Sequence, residues 1–210
     1  MFSNIEQGKS EIISELFNLF SLIVSEEAFL EDQKSLLADN ETFYPETAFT
    51  YMTHFQNFIK HSIKRISDES QNINIFDPNF IDENPLEVKE KKIITYENLL
   101  IFFEFNDLCD IEKNDLENFK NYYFASPEKG LDYQSFINIL LPHSNKSKKK
   151  ACLKRKILYE LSNLESMKMD WKLQSLIAQI FEDEIFLFKR AENIKIKLIN
   201  KYHWDPIDAF

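Results

Sequence analysis

The sequence predicts an all-α fold, and both its composition and its hydrophobic periodicity point to that class. The chain has only two glycines among 210 residues, so it is poorly supplied with the turns and corners that sheets and barrels need. A hydrophobic fraction of 44% is enough to bury a substantial core. Apolar residues recur at intervals of three and four along several stretches, which is the spacing of amphipathic helices.

Two long helices are predicted in the N-terminal third. Residues 11–37 carry apolar side chains that are mostly three and four apart, so we expect one amphipathic helix there. After a break between Asn40 and Pro45, a second stripe predicts a helix over 45–66. That stripe consists of Ala48, Phe49, Met52, Phe55, Ile59, Ile63 and Ile66.

A long loop and three short helices are predicted next. Residues 67–93 form the loop, because most of this stretch is rich in Asn and Asp, contains two prolines and lacks a sustained periodicity. Helices are then expected over 95–105, 111–124 and 133–141, and Pro142 ends the last of them.

A basic segment separates these helices from the C-terminal part, where two more helices are expected between about 150 and 200. The apolar spacing over 173–188 is the stronger of the two signals. The basic segment carries seven cations: Lys146, Lys148, Lys149, Lys150, Lys154, Arg155 and Lys156. We interpret it either as a solvated linker or helix start, or as a docking patch for an acidic surface.

These elements predict three segments: an N-terminal helical segment at 1–44, a central helical unit at 45–143, and a basic linker with further helices at 144–210. An internal repeat relates the first and third. Residues 16–30 align without gaps to 173–187, and FYPETAF at 43–49 aligns to WDPIDAF at 204–210. Since the first copy opens a helix, we expect the second to open one past Phe210, in a longer or shortened protein.

The charge, the hydropathy and the absence of catalytic motifs in the sequence argue against several classes of function. The net charge of −10 disfavours a nucleic-acid partner. The start lacks a signal-peptide pattern and no apolar run nears the roughly 20 residues that span a bilayer, so we predict a soluble intracellular protein without a membrane partner. Cys109 and Cys152 belong to no metal or redox motif. His54 and His61 are expected on the surface, and no catalytic constellation is found, so we predict no enzyme activity.

The stretch 116–142, LENFKNYYFASPEKGLDYQSFINILLP, resembles the second half of an EF-hand pair. It has an amphipathic helix, a short polar loop with Gly130, an apolar Leu131 and a second amphipathic helix, in the order that a cation-wrapping loop requires. The resemblance implies that 45–105 is the sister half, with Ile94 pairing to Leu131 between the loops. The expected architecture is therefore a degenerate EF-hand pair flanked by long amphipathic helices.

The loops depart from the family pattern at the positions that hold calcium. Ala125 and Pro127 stand where the first coordinating side chains belong, and Ser135 stands where a bidentate Glu is required. If Ile94 is the pairing residue, Asn98 takes the place of that Glu in the first loop. A frame shifted by one would bring Glu97 there instead. We expect neither loop to bind calcium at useful affinity, and no other cofactor is predicted.

The wider layout resembles the multi-EF-hand proteins of protist cilia: an EF-hand pair ending in ILLP, a basic linker, a long Glu- and Leu-rich helix, and an aromatic-Asp-x-x-Asp-Ala-Phe segment. This resemblance implies a structural protein of the axoneme, on or inside its microtubules, with tubulin among its possible partners. Its apolar groove and its 67–93 loop would contact neighbours. The alternatives are a calcium-responsive sensor or light-chain-like subunit, and an accessory helical subunit of another large complex.

Overall fold

The computed structural model describes residues 2–60, 93–108, 111–124, 130–155 and 169–202. These residues are mostly helical, which confirms the all-α prediction; the exception is a sheet of two short strands. The elements are α1 (Phe2–Asp39), α2 (Pro45–Thr53), β1 (Ile93–Ile94), α3 (Tyr96–Phe105), α4 (Lys113–Tyr123), β2 (Leu131–Asp132), α5 (Tyr133–Leu140), α6 (Lys146–Leu153) and α7 (Trp171–Tyr202).

The helix predicted over 45–66 is interrupted after its ninth residue. α2 begins at Pro45 and ends at Thr53, residue 54 is a turn, and residues 55–60 are helical again. His54 has φ −114° and ψ 10°, and its Nδ1 atom lies 3.0 Å from the Thr50 carbonyl oxygen. The expected surface position of His54 is wrong, because only 6% of the residue is exposed and its ring bonds to the preceding turn. Residues 61–66, including His61, lie outside the described ranges.

Helices α1 and α7 pack against each other in antiparallel orientation. Gln33 bonds to Asp183, and Glu26, seven residues earlier, bonds to Arg190, seven residues later. Helix α1 extends beyond the predicted 11–37 at both ends, and α7 extends on both sides of the strong apolar spacing over 173–188. Of the internal repeat, residues 16–30 lie on α1 and residues 173–187 lie on α7, whereas residues 204–210 lie outside the described ranges. Over the described residues, none of the helices is long and apolar enough to cross a membrane.

One continuous cluster of buried apolar side chains holds the elements together. It draws on all three predicted segments, from Leu30 and Leu37 in α1, through the central helices, to Ile185 in α7. Aromatic rings meet edge to face in its centre, and Phe103 and Phe119 both contact Phe181 of α7. α7 therefore forms one wall of the core that the central helices fill.

The basic segment contains a helix of its own. α6 covers Lys146–Leu153, and the Asn145 side chain caps its first turn by accepting from the Lys148 backbone N–H at 3.0 Å. The earlier of the two C-terminal helices thus begins about four residues before the predicted start. Of the predicted 67–93 loop, only Ile93 falls within the described residues, and it belongs to β1.

Candidate functional site

The two short strands join the central helices at a point where glycine is required. Ile94 lies opposite Leu131 in antiparallel pairing, as the sequence predicts, and both side chains are fully buried. Gly130 precedes Leu131 with φ +100°, and a Cβ atom added to it would lie 2.3 Å from the Ile94 carbonyl oxygen. Gly130 therefore serves the close approach of β1 as well as the turn.

The residue after each paired strand residue caps the following helix in the same way. Thr95 follows Ile94, and its hydroxyl oxygen accepts from the Asn98 backbone N–H at 3.2 Å. Asp132 follows Leu131, and its carboxylate accepts from the Ser135 backbone N–H at 2.7 Å. These are matching N-caps of α3 and α5, so the two halves are built alike at this point.

Asn98 is the polar residue that ties α3 to α2. Only 4% of it is exposed. Its side-chain amide donates to the Thr53 carbonyl oxygen at 2.8 Å, and its carbonyl oxygen accepts from the Gln56 backbone N–H at 3.2 Å. Both backbone groups flank the interruption at His54, where helical partners are lost. The neighbouring Glu97 is exposed, so the structure does not support the shifted frame with Glu97 facing inward.

At the position where the resemblance expects a bidentate Glu, the Asn98 side chain makes direct hydrogen bonds to backbone groups. A bidentate Glu offers a cation two anionic oxygens, whereas the Asn98 side chain is neutral and both of its polar ends already contact backbone. Within the described ranges, no group of three or more His, Cys, Asp or Glu side chains could hold a metal ion. Residues 61–92 and 125–129, with Ala125 and Pro127, lie outside those ranges.

Three of the seven predicted docking cations are engaged within the chain. The Arg155 guanidinium donates to the carbonyl oxygens of Ala38 and Asn40, at 2.7 and 2.6 Å, and so caps the C-terminal end of α1. Lys148 pairs with Asp39 at 2.6 Å, and Lys149 donates to Asn138 at 3.1 Å. Burial lowers the pKa of Lys149 from its ordinary value. Arg155 and Lys148 thus supply donors at the end of α1, and Lys149 bonds to α5; the docking role predicted for the segment stays a prediction.

The other described cations of the segment form a ridge. Lys146, Lys150 and Lys154 are exposed and four residues apart, so they lie along one face at intervals of roughly 6 Å. We call these three residues the basic ridge. Among the described residues, no hydrogen bond or ion pair engages them. Lys156 lies outside the described ranges.

A buried ion pair next to the core was not predicted. The Lys34 Nζ atom lies 2.5 Å from Glu184 Oε1, and the side chains are 5% and 11% exposed. The Tyr123 hydroxyl donates to Glu184 Oε2 at 3.0 Å, so α1, α4 and α7 meet there. Burial and the Glu184 charge raise the pKa of Tyr123. A signal was present in the sequence, because Lys34 lies between Leu30 and Leu37 on the apolar face of α1.

Comparisons of the chain with known proteins and structures found no similar protein. No family model matches the chain, and no curated protein or solved structure matches it either.

Proposed function

We propose that this chain is a non-enzymatic scaffold protein in which a degenerate EF-hand pair acts as a calcium-independent docking module. The observation that carries the proposal is the double hydrogen bond of Asn98 to Thr53 and Gln56. In a calcium-binding EF-hand, the ion links the exiting helix to its loop through the bidentate Glu. Here the Asn98 side chain links the exiting helix α3 to α2 by direct hydrogen bonds, and this supports a module whose form does not depend on an ion at that position.

The second half supports the same interpretation. Ser135, at the position of the bidentate Glu, offers a neutral hydroxyl in place of two anionic oxygens. The acidic side chain of β2 is that of Asp132, and one of its carboxylate oxygens accepts the hydrogen bond that caps α5. The polar groups beside the strand pair are thus used for folding, as suits a module that keeps one shape and offers surfaces to partners.

Calorimetry with calcium tests the module directly. We expect no saturable heat on titrating calcium into the whole chain, and the same melting temperature in calcium as in chelator. A ligand at a hundred times its Kd would stabilise the folded state by about 2.7 kcal/mol, so bound calcium would be visible in the melt. Magnesium at equal ionic strength is the control. Saturable micromolar binding would overturn the proposal in favour of a calcium sensor or light-chain-like subunit.

The basic ridge is the surface that we assign to an acidic partner. Lys146, Lys150 and Lys154 present three ammonium groups on one face of a chain whose net charge is −10. Such a local patch attracts an acidic segment even though the average charge repels it, and salt weakens the attraction. Because the sequence resembles ciliary proteins, we propose the acidic tails of tubulin as the partner.

Microtubule co-sedimentation at low and high salt tests this assignment. We expect binding that falls with salt and that the variant Lys146→Glu/Lys150→Glu/Lys154→Glu loses. The matched control, Lys60→Glu/Lys113→Glu/Lys172→Glu, changes three exposed lysines elsewhere and shifts the net charge equally. Microtubules without acidic tails should bind neither the wild type nor the ridge variant. Equal loss in both variants would show a general charge effect and would refute the assignment to the ridge.

Location in the cell decides the ciliary part of the proposal. In ciliated cells that express the chain, we expect it to remain with axonemes after salt extraction. Recovery with another complex, such as one in mitochondria, would instead favour the accessory helical subunit. This outcome is independent of the calcium experiment, because a calcium-free module could serve in either assembly.

A further inference from the structure

Helix α1 carries a second apolar stripe, away from the core. Ile13, Phe17, Phe20 and Val24 are 65%, 70%, 62% and 66% exposed. Their spacing of four, three and four residues places them on one face of the helix, in the pattern of a coiled-coil seam. We call these four residues the outer stripe.

The partner helix α7 lies on the other side of α1 from the outer stripe. Glu15 and Glu26 of α1 bond to Lys197 and Arg190 of α7. At 3.6 residues per turn, these two glutamates project roughly opposite to the outer stripe. Further along α1, the face that carries the outer stripe is occupied, since Glu31 on that face bonds to the His143 and Ser144 backbone. The stripe is therefore the bare continuation of a face that is already used for packing.

We propose that the outer stripe is the interface of an antiparallel homodimer of this chain. The first argument is self-complementarity. Read from either end, the stripe runs β-branched, Phe, Phe, β-branched. A two-fold axis between residues 18 and 19 would set Ile13 against Val24 of a second copy, and Phe17 against its Phe20. Such an isologous contact needs one surface that matches itself, which this stripe does.

The second argument is charge. Each chain carries a net charge of −10, so two copies repel each other over most of their surfaces. Residues 16–25, LFNLFSLIVS, contain no charged side chain, whereas 29% of the whole chain is charged. Three of the four residues of the outer stripe lie in this segment, so the middle of the interface brings no like charges together.

The third argument is area, which also sets the expected strength. An aromatic side chain buries about 150–250 Å², so two copies of two Phe and two β-branched residues remove on the order of 1,000 Å² from water. That is below the range of about 1,200 to 2,000 Å² for stable specific interfaces and within the range of weak, transient ones. We therefore expect a reversible dimer with a dissociation constant of about micromolar or weaker.

Sedimentation velocity of the whole chain over concentrations that bracket the micromolar range tests the dimer. We expect a monomer–dimer equilibrium in the wild type and a monomer in Phe17→Glu/Phe20→Glu. The matched control, Phe29→Glu/Leu36→Glu, adds the same charge to exposed apolar residues on another face of α1 and should still dimerise. Circular dichroism checks that each variant is folded. A wild type that stays monomeric, or folded variants that lose the dimer equally, would overturn the proposal.

Cross-linking with a short thiol-specific reagent tests the orientation. The antiparallel arrangement predicts a covalent dimer from Ile13→Cys/Val24→Cys, above the background of the native cysteines. The single variant Ile13→Cys should stay at background, because the two copies of residue 13 lie at opposite ends of the interface. Efficient cross-linking of the single variant would indicate a parallel dimer and would refute the two-fold axis proposed here.

Discussion

The side-chain amide of Asn98 donates to the carbonyl oxygen of Thr53 across 2.8 Å, and this contact joins the start of α3 to the end of α2. The same side chain accepts from the Gln56 backbone N–H. Both ends of one neutral amide are thus occupied at a buried position where the resemblance expects a calcium ligand. The contact is stabilising to the extent that the two backbone groups have no other partner.

Replacing Asn98 by Leu should destabilise the protein by about 2 kcal/mol or more, because a buried donor and a buried acceptor would each lose a partner. Urea unfolding followed by far-UV circular dichroism measures the change. Asn114→Leu, at an exposed position of α4, is the matched control and should stay within about 0.5 kcal/mol of the wild type. If the two variants unfold alike, the Asn98 contact does not hold the helices together.

The only two glycines of the chain should respond to alanine in opposite directions. Gly130→Ala should destabilise by about 2 kcal/mol or more, since the new Cβ would meet the Ile94 carbonyl oxygen at 2.3 Å and φ is +100°. Gly8 lies within α1, where alanine is favoured by about 0.5–1 kcal/mol. Melting temperatures of the two variants measure the difference. A Gly130→Ala protein as stable as Gly8→Ala would contradict the close approach of the two strands.

Breaking the buried ion pair should cost more than removing it. Lys34→Met leaves Glu184 buried without its cation, which should cost about 3–5 kcal/mol. The triple variant Lys34→Met/Glu184→Leu/Tyr123→Phe should recover most of that loss in urea unfolding, because no charge stays buried alone. Lys195→Met, in an exposed pair with Glu192, should change stability by less than about 1 kcal/mol. A harmless Lys34→Met would show that the pair is solvated in solution.

Glu31 should make stability depend on pH in the acid range. Burial opposes its ionisation, but hydrogen bonds from the His143 and Ser144 backbone and from the Ser144 hydroxyl outweigh burial and lower its pKa. An acid with a lowered folded-state pKa stabilises the protein above its unfolded pKa of about 4.3, and this stabilisation is lost as the pH falls through the folded value.

The wild type should therefore exceed Glu31→Gln in unfolding free energy near neutral pH, and the gap should narrow as the pH falls below about 4.3. Urea unfolding across a pH series measures that gap. The exposed Glu41, changed to Gln, is the control and should show little gap at any pH. A constant difference between Glu31→Gln and the wild type would argue against these hydrogen bonds.

Much of the fold follows from local sequence, because helices are encoded by spacing and by their ends. The apolar spacing predicts α3, α4 and α5 to within two residues of their bounds, and Pro45 marks the start of α2. The interruption at His54 was not predicted, since the apolar stripe runs through it unbroken. What ends α2 is a set of side-chain bonds around His54 and Asn98, and hydrophobic periodicity does not report such bonds.

For the candidate site, too, the sequence predicts the chemistry of single residues but not their partners. The sequence alone marked Ser135 and Asn98 as poor calcium ligands, because ligand chemistry depends on residue type. It could not assign Asn98 to Thr53, 45 residues away, or Arg155 to the end of α1, 115 residues from Asn40. Those partners are set by how the helices pack, so a segment that looked like a uniform basic patch divides into internal donors and an exposed ridge.

By itself, the sequence determined the all-α class and the approximate bounds of several helices, since each depends on residues close together in the chain. Only the tertiary structure decided which polar groups are buried together, which cations of the basic segment bond to other described residues, and that α1 exposes the outer stripe. Burial is the physical reason, because it depends on distant segments: Lys34 meets Glu184 only when α1 and α7 pack.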